Sequence, residues 1–210
     1  MISLPYESYR FEMKPLLYHY NSLEPYIDAK TIYIHYEINL QTYLDNLNGI
    51  LSNYPSLQSW NLDQLVKNYS QLPIEIQSFV RNNAGGVYNH NLYFSLMTPN
   101  LVGVPVGNLG NRLLEEFGSY SNFISQFKIS ALDRFGSGYV WLVTNDSKEL
   151  SIISTANQDT PLPMNLYPIL VVDVWEHAYY LKHINRRIDY LDDWFNVIDW
   201  NRAEELFNSI

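Results

Sequence analysis

Three histidines and one aspartate in this chain have the residue types and contexts of metal ligands. Asp173 and His177 stand four residues apart, directly after the apolar run at 169–172. His35 lies in a stretch with helical periodicity, and His90 lies between two asparagines. Neutral imidazole and carboxylate together suit borderline divalent metals such as manganese, iron and zinc. The pattern therefore predicts a metal site formed by these four side chains.

Each of the four residues, taken singly, is better explained by a structural role. A lone histidine in an amphipathic helix, such as His35, is usually a core or surface residue, and His90 alone could be a polar residue near a kink. Asp173 alone could cap the end of a strand, and the spacing Asp-x-x-x-His occurs often by accident. The prediction of a metal site depends on the four residues occurring together.

Two helices are predicted in the N-terminal half, and they would position His35 and His90. Apolar residues recur at helical spacing over 29–53, after Asp28 as a candidate N-cap. Pro73 suits the first turn of a second helix, which is predicted over 73–97. Gly85 and Gly86 interrupt this second pattern. They mark either a weak point or kink, or a close approach of another backbone beside His90.

The spacing of the apolar residues changes in the C-terminal half. The elements predicted there would position Asp173 and His177. The segment 98–110 is rich in proline and glycine and is the best candidate for a linker. Alternation over short runs then predicts strands after two further helices. The predicted elements are helices at 108–117 and 121–135, strands at 138–144, 150–155 and 169–174, and a helical tail at 178–210.

Composition excludes several classes of protein. The chain has 210 residues, of which 47% are apolar and 17% charged, so we expect one or two folded domains rather than disorder. A net charge of −9 argues against a nucleic-acid partner. No apolar run is long enough to span a membrane, and no signal peptide is visible. The absence of cysteine excludes disulfides and fits an expected cytoplasmic location.

A series of motifs in a fixed order extends over about residues 14–207. Its main residues occur in the order His … Asn-His … Gln … Asp-x-Trp-x-His. The accompanying segments are Leu23-Glu24-Pro25, Gln41-Thr42-Tyr43, Asn82-Asn83-Ala84-Gly85-Gly86, Phe135-Gly136-Ser137-Gly138, Asn157-Gln158-Asp159 and Asn185-Arg186-Arg187. No single segment is specific, but the set in this order closely resembles the iron/manganese superoxide dismutases.

The resemblance implies a redox enzyme with one metal ion. It makes His35, His90, Asp173 and His177 the ligands of one manganese or iron, with water or hydroxide as a fifth ligand. In this family one superoxide reduces the metal and leaves as dioxygen. A second superoxide reoxidises the metal and leaves as hydrogen peroxide, taking two protons. Three neutral imidazoles and one carboxylate leave positive charge on the metal, which attracts an anionic substrate.

The resemblance also implies roles for residues around the metal and at a subunit contact. Gln158 would hydrogen-bond the metal-bound solvent, and Tyr43 would stand as the gateway of the substrate funnel. Arg187 would support that funnel. Glu176 would reach a metal-ligand histidine of a partner subunit, and Tyr180 would lie at the same interface. We therefore expect a homodimer, and leave open whether dimers pair further.

Two positions bear on the choice of metal. The manganese-type branch of the family places its solvent-binding glutamine in the segment that holds Gln158, and has a glycine where Gly86 stands. Iron-type members place the glutamine near the position of Gly86 instead. The sequence therefore predicts manganese, with iron as the alternative.

The chain departs from the family at positions near the predicted metal. Asn39 occupies the place of a usual histidine, and an asparagine cannot titrate near neutral pH. A proton relay at Asn39 is therefore in doubt. Leu40 replaces another common histidine, and Phe94 and Tyr139 each replace a tryptophan. These departures, with a count of 18 tyrosines, motivate a second hypothesis: a structural or coat-associated member of the same fold with little catalytic activity.

The resemblance also fixes the expected fold class, which is α+β. A helical hairpin would be followed by an α/β domain with a three-stranded antiparallel sheet, and the metal would lie between the two parts. The expected division is an N-terminal arm at 1–13, a helical hairpin domain at 14–101 and a C-terminal α/β domain at 102–210.

Overall fold

The computed structural model of the protein describes residues 8–100 and 103–210. The first seven residues of the expected N-terminal arm, and two residues of the expected linker, lie outside these ranges. The described chain has a helical N-terminal part and a C-terminal part with a three-stranded antiparallel sheet. The expected α+β fold class is therefore confirmed.

The N-terminal part is built from helices. They are α1 (Ala29–Tyr33), a π-helical segment (Ile34–Leu40), α2 (Gln41–Leu51), a 3-10 turn (Pro55–Leu57), α3 (Leu62–Asn68), a second 3-10 turn (Tyr69–Gln71) and α4 (Ile74–Ser95). α2 and α4 pack together as the hairpin, and α3 packs on α4. The sequence prediction did not include α3.

The first predicted helix forms, but its middle is wider than an α-helix. Asp28 caps it as expected, since its Oδ1 accepts a hydrogen bond from the Thr31 backbone N–H at 2.9 Å. The segment Ile34–Leu40 is then π-helical. Single π-type turns inside α-helices occur frequently at functional sites, and this one contains both His35 and Asn39. Apolar spacing alone did not reveal it.

The second predicted helix is continuous through its two glycines. α4 runs without a break through Gly85 and Gly86, so the prediction of an interruption is wrong. The alternative of close approach is confirmed. A Cβ atom on Gly85 would lie 2.2 Å from the backbone oxygen of Gln158, and a Cβ on Gly86 would lie 2.5 Å from the Tyr43 ring. The glycines let α4 pass directly beside two residues of the candidate site.

The C-terminal part follows the predicted order of two helices, three strands and a helical tail. Its elements are α5 (Gly107–Phe117), α6 (Tyr120–Asp133), β1 (Gly138–Thr144), β2 (Leu150–Ala156), a 3-10 turn (Leu162–Met164), β3 (Tyr167–Asp173), a further 3-10 turn (Glu176–Ala178), α7 (Tyr180–His183), α8 (Arg187–Trp194) and α9 (Trp200–Asn208). The predicted helical tail is thus divided into three short helices.

The sheet carries Asp173 and Tyr139 to neighbouring positions. β1 is central, and it pairs antiparallel with β2 on one side and β3 on the other. Every residue of β1 is buried, because α6 covers β1 while α4 and α9 pack against β3. The register pairs Tyr139, near the start of β1, with Asp173, at the end of β3. Both side chains therefore lie at the same end of the sheet, in the region beside α4.

A left-handed residue turns the chain into the site after β2. Asn157 has a φ of 51°, a conformation that asparagine tolerates better than most residues. Its backbone N–H donates to the Ser137 oxygen at 3.0 Å, and its backbone oxygen accepts from the Trp175 indole at 3.0 Å. These bonds fix the turn that directs Gln158 inward.

Within the part of the chain that the structure describes, no helix combines the length and the apolar character needed to cross a membrane.

The close approach of α4 gives a first testable prediction. Gly85→Ala should lower the free energy of unfolding by about 1–3 kcal/mol, since the added methyl overlaps the Gln158 backbone oxygen. The matched control is Gly49→Ala in α2, where an added Cβ meets no atom within 4 Å. That change should be neutral or raise stability by up to about 1 kcal/mol, because alanine has the higher helix propensity. Urea denaturation of both variants makes the comparison, and equal effects would contradict the steric account.

Candidate metal centre

The four predicted ligands converge on one point. One ligand atom from each of His35, His90, Asp173 and His177 lies within 4.8 Å of every other. The Oδ2 atom of Asp173 is 3.1 Å from Nε2 of His35, 3.4 Å from Nε2 of His177 and 3.9 Å from Nε2 of His90. The π-helical segment, α4, the end of β3 and the following 3-10 turn each supply one of these residues. The N-terminal and C-terminal parts therefore meet at this cluster.

Burial favours the neutral form of two of the imidazoles, and the neighbouring histidines favour the ionised form of the carboxylate. His35, His90 and Asp173 are fully buried. Burial, followed by the charge of a neighbouring histidine, lowers the pKa of His35 to about 4 and that of His90 to about 3. Burial opposes ionisation of Asp173, but His177 and His35 together hold its pKa below the ordinary value. At neutral pH His35 and His90 are therefore neutral and Asp173 is ionised, and these are the states that bind a metal.

The atoms that face one another in the cluster have no hydrogen-bond partner. Among the described residues, the Nε2 atoms of the three histidines and Oδ2 of Asp173 are buried without such a partner. Buried polar atoms are normally paired, because leaving them unpaired is costly. Four inward-facing acceptor atoms are satisfied together by a cation. The donor set of three imidazoles and one carboxylate fits manganese or iron.

The outer atoms of two ligands are already held in place. The Nδ1–H of His90 donates to the backbone oxygen of Gly86 at 2.7 Å, because a carbonyl oxygen can only accept. This bond puts the lone pair of His90 on Nε2. The Oδ1 atom of Asp173 accepts from the backbone N–H of Trp175 at 2.7 Å, which leaves Oδ2 for the cluster. Such supporting bonds orient metal ligands and are part of a metal site.

Aromatic rings enclose the cluster. The rings of Tyr93 and Phe94 lie 5.4 and 5.0 Å from that of His35. Trp175 stacks on His177 with ring centroids 5.5 Å apart. The His177 side chain keeps 23% of its surface exposed, whereas the other three ligands keep none. His177 is therefore the one member of the cluster whose side chain is partly exposed to solvent.

Gln158 is buried beside the cluster, and three side chains hold its amide. Its Oε1 accepts from the Tyr139 hydroxyl at 3.0 Å and from Nδ2 of Asn89 at 3.3 Å. Its Nε2 donates to the Tyr43 hydroxyl at 2.9 Å. Nδ2 of Asn89 also donates to the backbone oxygen of Gln158 at 3.1 Å. The structure thus joins Gln158 and Tyr43 by a hydrogen bond, and it adds two residues to which the sequence prediction gave no role.

Tyr43 and Asn39 lie on the helix that carries His35. The Tyr43 ring is 5.3 Å from that of His90, and burial raises the pKa of its hydroxyl, which therefore stays protonated at neutral pH. Asn39 is half-buried in the π-helical segment and makes no side-chain hydrogen bond within the described residues.

The remaining predicted residues lie on an adjacent surface rather than in the cluster. Glu176 and Tyr180 are exposed. Arg187 donates to the backbone oxygens of Ala131 and Arg134 at 3.0 and 2.7 Å, and so ties α8 to the end of α6. Glu176 and Arg187 line the same surface pocket. The single chain therefore brings these residues near each other without placing Glu176, Tyr180 or Arg187 against the four ligand atoms.

Asn89 and Tyr139 are the residues that sequence reasoning missed. Asn89 precedes a predicted ligand and stands four residues after Gly85, so both share one face of α4. This four-residue spacing from Gly85 could have indicated that the Asn89 side chain faces the segment that packs closely against α4. In the sequence, Tyr139 stands out only as an aromatic residue in place of the usual tryptophan. A partner for its hydroxyl cannot be assigned without the strand register.

Comparisons with known proteins agree with this geometry. Residues 10–98 match the family model of the α-hairpin domain of iron/manganese superoxide dismutases, and residues 105–206 match the model of their C-terminal domain. A manganese superoxide dismutase of Leptolyngbya boryana is 46% identical over 93% of this chain and 80% of its own length. One from Thermus aquaticus and one from Listeria monocytogenes are each 45% identical over 95% of this chain and 98% of their own length. The chain belongs to the iron/manganese superoxide dismutase family.

Proposed function

We propose that this protein is a superoxide dismutase that uses one manganese ion, with iron as the family alternative. It converts superoxide to dioxygen and hydrogen peroxide. One observation carries the proposal: four buried acceptor atoms without hydrogen-bond partners converge in a chain that is about 45% identical to manganese superoxide dismutases.

We assign the metal to His35, His90, Asp173 and His177. When bound, the metal would supply the reversible one-electron exchange that superoxide disproportionation requires. The side chains supply a fixed cage, since the outer atoms of His90 and Asp173 are hydrogen-bonded to backbone groups. One carboxylate and three neutral imidazoles balance only one positive charge. The centre therefore stays attractive to an anion.

Gln158 and Tyr43 are the proposed route for protons. Nε2 of Gln158 donates one N–H to the Tyr43 hydroxyl, and its second N–H is the proposed donor to the metal-bound solvent. The Tyr43 hydroxyl keeps its proton at neutral pH because burial raises its pKa. A donor at this position tunes how readily the bound solvent takes up or releases a proton. Gly86 leaves the space that the Tyr43 ring occupies.

The structural or coat-associated alternative is not favoured. The proposed ligand set is intact, and the supporting bonds around it are formed. The relatives that match nearly the whole chain are named as enzymes. Among the described residues, no group forms a hydrogen bond with the four facing atoms. The departures at Phe94 and Tyr139 keep aromatic rings beside the cluster.

We also propose that the protein forms a two-fold dimer through the surface beside the metal centre. Phe135 is 93% exposed at the end of α6, and it lines the same pocket as Glu176 and Arg187. Tyr180 is 49% exposed on α7, which adjoins this region. A continuous exposed apolar surface with polar groups is typical of an interface. Further exposed apolar side chains of α6, α7 and α8 and the α7–α8 connection are Leu132, Leu181, Ile184 and Ile188.

Two further expectations, on the domain boundaries and on the cellular location, accompany this proposal. We propose the division into a hairpin domain at 14–101 and a C-terminal domain at 102–210. It is supported by the end of α4 at Ser95, the start of α5 at Gly107 and the sheet that follows α6. A cytoplasmic location stays a prediction from the sequence.

The metal assignment predicts a specific loss in one variant. His177→Ala should retain no manganese after dialysis against a chelator and should lose superoxide dismutase activity, because one of four ligands is removed. The control is His19→Ala, which changes an exposed histidine outside the cluster. That variant should keep wild-type metal content and activity. Elemental analysis and a superoxide assay on the same samples provide the measurement. Fully manganese-loaded wild-type protein that leaves superoxide untouched would refute the function.

The asparagine at position 39 predicts a simple pH dependence. The wild type should lack a turnover transition near pH 6.5, the reference pKa of histidine, since Asn39 cannot titrate. Asn39→His should introduce such a transition and leave metal content unchanged. Kinetics of both forms from about pH 6 to 9 make the test. Superimposable profiles, with a change only in dimer stability, would instead assign Asn39 a structural role at the subunit contact.

The dimer proposal predicts that a charge on the apolar surface weakens association. Phe135→Asp should raise the dimer dissociation constant on the order of tenfold or more, because an unpaired carboxylate would be buried at the contact. Leu17→Asp is the control, since Leu17 is 85% exposed on the N-terminal segment and lies outside the proposed surface. Sedimentation equilibrium measures both. A monomeric wild type at all concentrations would overturn the proposal.

A further inference from the structure

A small cavity lies beside the segment that carries Gln158. It has a volume of about 90 Å³, and its apolar lining comes from Val66, Tyr69, Pro163 and Met164. Gln158 belongs both to the wall of this cavity and to the surroundings of the metal centre. A single water needs roughly 10–15 Å³ of such space, so the cavity has room for several small polar molecules.

Thr160 brings a free hydroxyl to this cavity. The residue is 4% exposed and lines the cavity, and within the described chain its buried Oγ1 has no hydrogen-bond partner. The charged lining residues, by contrast, satisfy each other, since Nε of Arg81 donates to Oδ1 of Asp159 at 2.5 Å. A buried hydroxyl without a partner is costly. The Thr160 hydroxyl therefore favours a small polar guest that can accept its hydrogen bond.

A tight turn brings Met164 to the same cavity. The backbone N–H of Met164 donates to the Pro161 oxygen at 2.9 Å, and Asn165, with a φ of 56°, ends the turn. The chain thus folds back on itself, and Met164 and Thr160 line one cavity although four residues separate them. The thioether of methionine is polarizable and is readily oxidised to the sulfoxide.

Exposure separates Met164 from the other described methionines. Met164 is 56% exposed, whereas Met97 is 3% exposed and Met13 is partly buried against the core. An oxidant from solvent therefore reaches the Met164 side chain directly. The same oxidant would also meet the unpaired Thr160 hydroxyl in the cavity. No other described methionine combines this access with a free hydrogen-bond donor on the wall of the same cavity.

We propose that Met164 and Thr160 form a site for hydrogen peroxide, in which the peroxide oxidises the Met164 sulfur to the sulfoxide. A sulfur lone pair attacks one peroxide oxygen, so that an S–O bond forms while the O–O bond breaks. The sulfur loses two electrons, and the leaving oxygen takes the proton of the transferred oxygen and departs as water. The Thr160 hydroxyl donates a hydrogen bond to the leaving oxygen and is itself unchanged.

This site would remove the product of the proposed reaction beside the centre that forms it. The inference rests on the proposed function only for the source of the peroxide. Each oxidation consumes one peroxide molecule, and the new sulfoxide oxygen can accept the hydrogen bond of the Thr160 hydroxyl. Methionine sulfoxide is reduced again by dedicated reductases, so the modification is reversible.

The test compares the rate of Met164 oxidation with that of a free thioether in the same solution. Manganese-loaded protein is mixed with hydrogen peroxide and with N-acetylmethionine as the internal reference. Mass spectrometry of peptides follows sulfoxide formation at Met164 and at the buried Met97. Thr160→Val removes the hydroxyl with little change in volume, and it should fold because that hydroxyl has no partner to lose. Thr160→Ser is the matched control that keeps the hydroxyl.

Met164 in the wild type should be oxidised severalfold faster than N-acetylmethionine, although part of its side chain is covered. In Thr160→Val the rate at Met164 should fall to that of the reference or below it, since a partly covered thioether then reacts without assistance. Thr160→Ser should keep the fast rate. Met97 should remain the slowest of the three in every form, because it is buried.

A wild-type rate at Met164 that does not exceed the reference would overturn the inference, because exposure alone would then explain the oxidation. An unchanged rate in Thr160→Val, or an equally slow rate in Thr160→Ser, would overturn it as well. Failure of the proposed function is separable from failure of this inference. A wild type that binds manganese without removing superoxide refutes the function, while the added peroxide still decides whether Met164 and Thr160 act together.

Discussion

The structure depends on the burial of one ionised carboxylate among three histidine side chains. An unpaired charge of this kind is among the most costly groups to bury. Oδ2 of Asp173 and three Nε2 atoms face one another without a hydrogen-bond partner in the described chain. A cation bound by these four atoms would offset this cost, and it would join residues from both parts of the molecule. Binding of the metal would then also stabilise the packing of the two parts against each other.

The surrounding fold acts mainly to bring backbones unusually close to this point. Gly85 and Gly86 remove the side chains that would separate α4 from Gln158 and Tyr43. The antiparallel register of β1 and β3 brings Tyr139 beside Asp173. Asn157 accepts a left-handed conformation and so turns Gln158 inward. The amide of Gln158 is then hydrogen-bonded to Asn89, Tyr139 and Tyr43, so the orientations of these four side chains depend on one another. Such bonds around a metal site hold its surroundings constant.

Much of the architecture was predictable, because it depends on short-range patterns. The strands were predicted within two residues, and Asp28 was identified as an N-cap. The convergence of His35, His90, Asp173 and His177 was predictable because histidine is rare in this chain and the four residues stand in ordered motifs. The π-helical segment was not predictable, since apolar spacing does not distinguish it from an α-helix. The continuity of α4 through Gly85 and Gly86 was also missed, because tertiary packing overrides the weak helix propensity of glycine. The roles of Asn89 and Tyr139 depend on contacts across 69 and 19 residues of sequence, which no local pattern encodes.

One metal ion is expected to join the two parts of the molecule at His35, His90, Asp173 and His177. The most direct measurement is a crystal structure of the manganese-loaded protein with anomalous scattering recorded on both sides of the manganese absorption edge. The account predicts one strong manganese peak per chain, within coordination distance of the three Nε2 atoms and Oδ2. A protein that binds manganese stoichiometrically but shows the peak elsewhere, with the four side chains hydrogen-bonded among themselves, would contradict it.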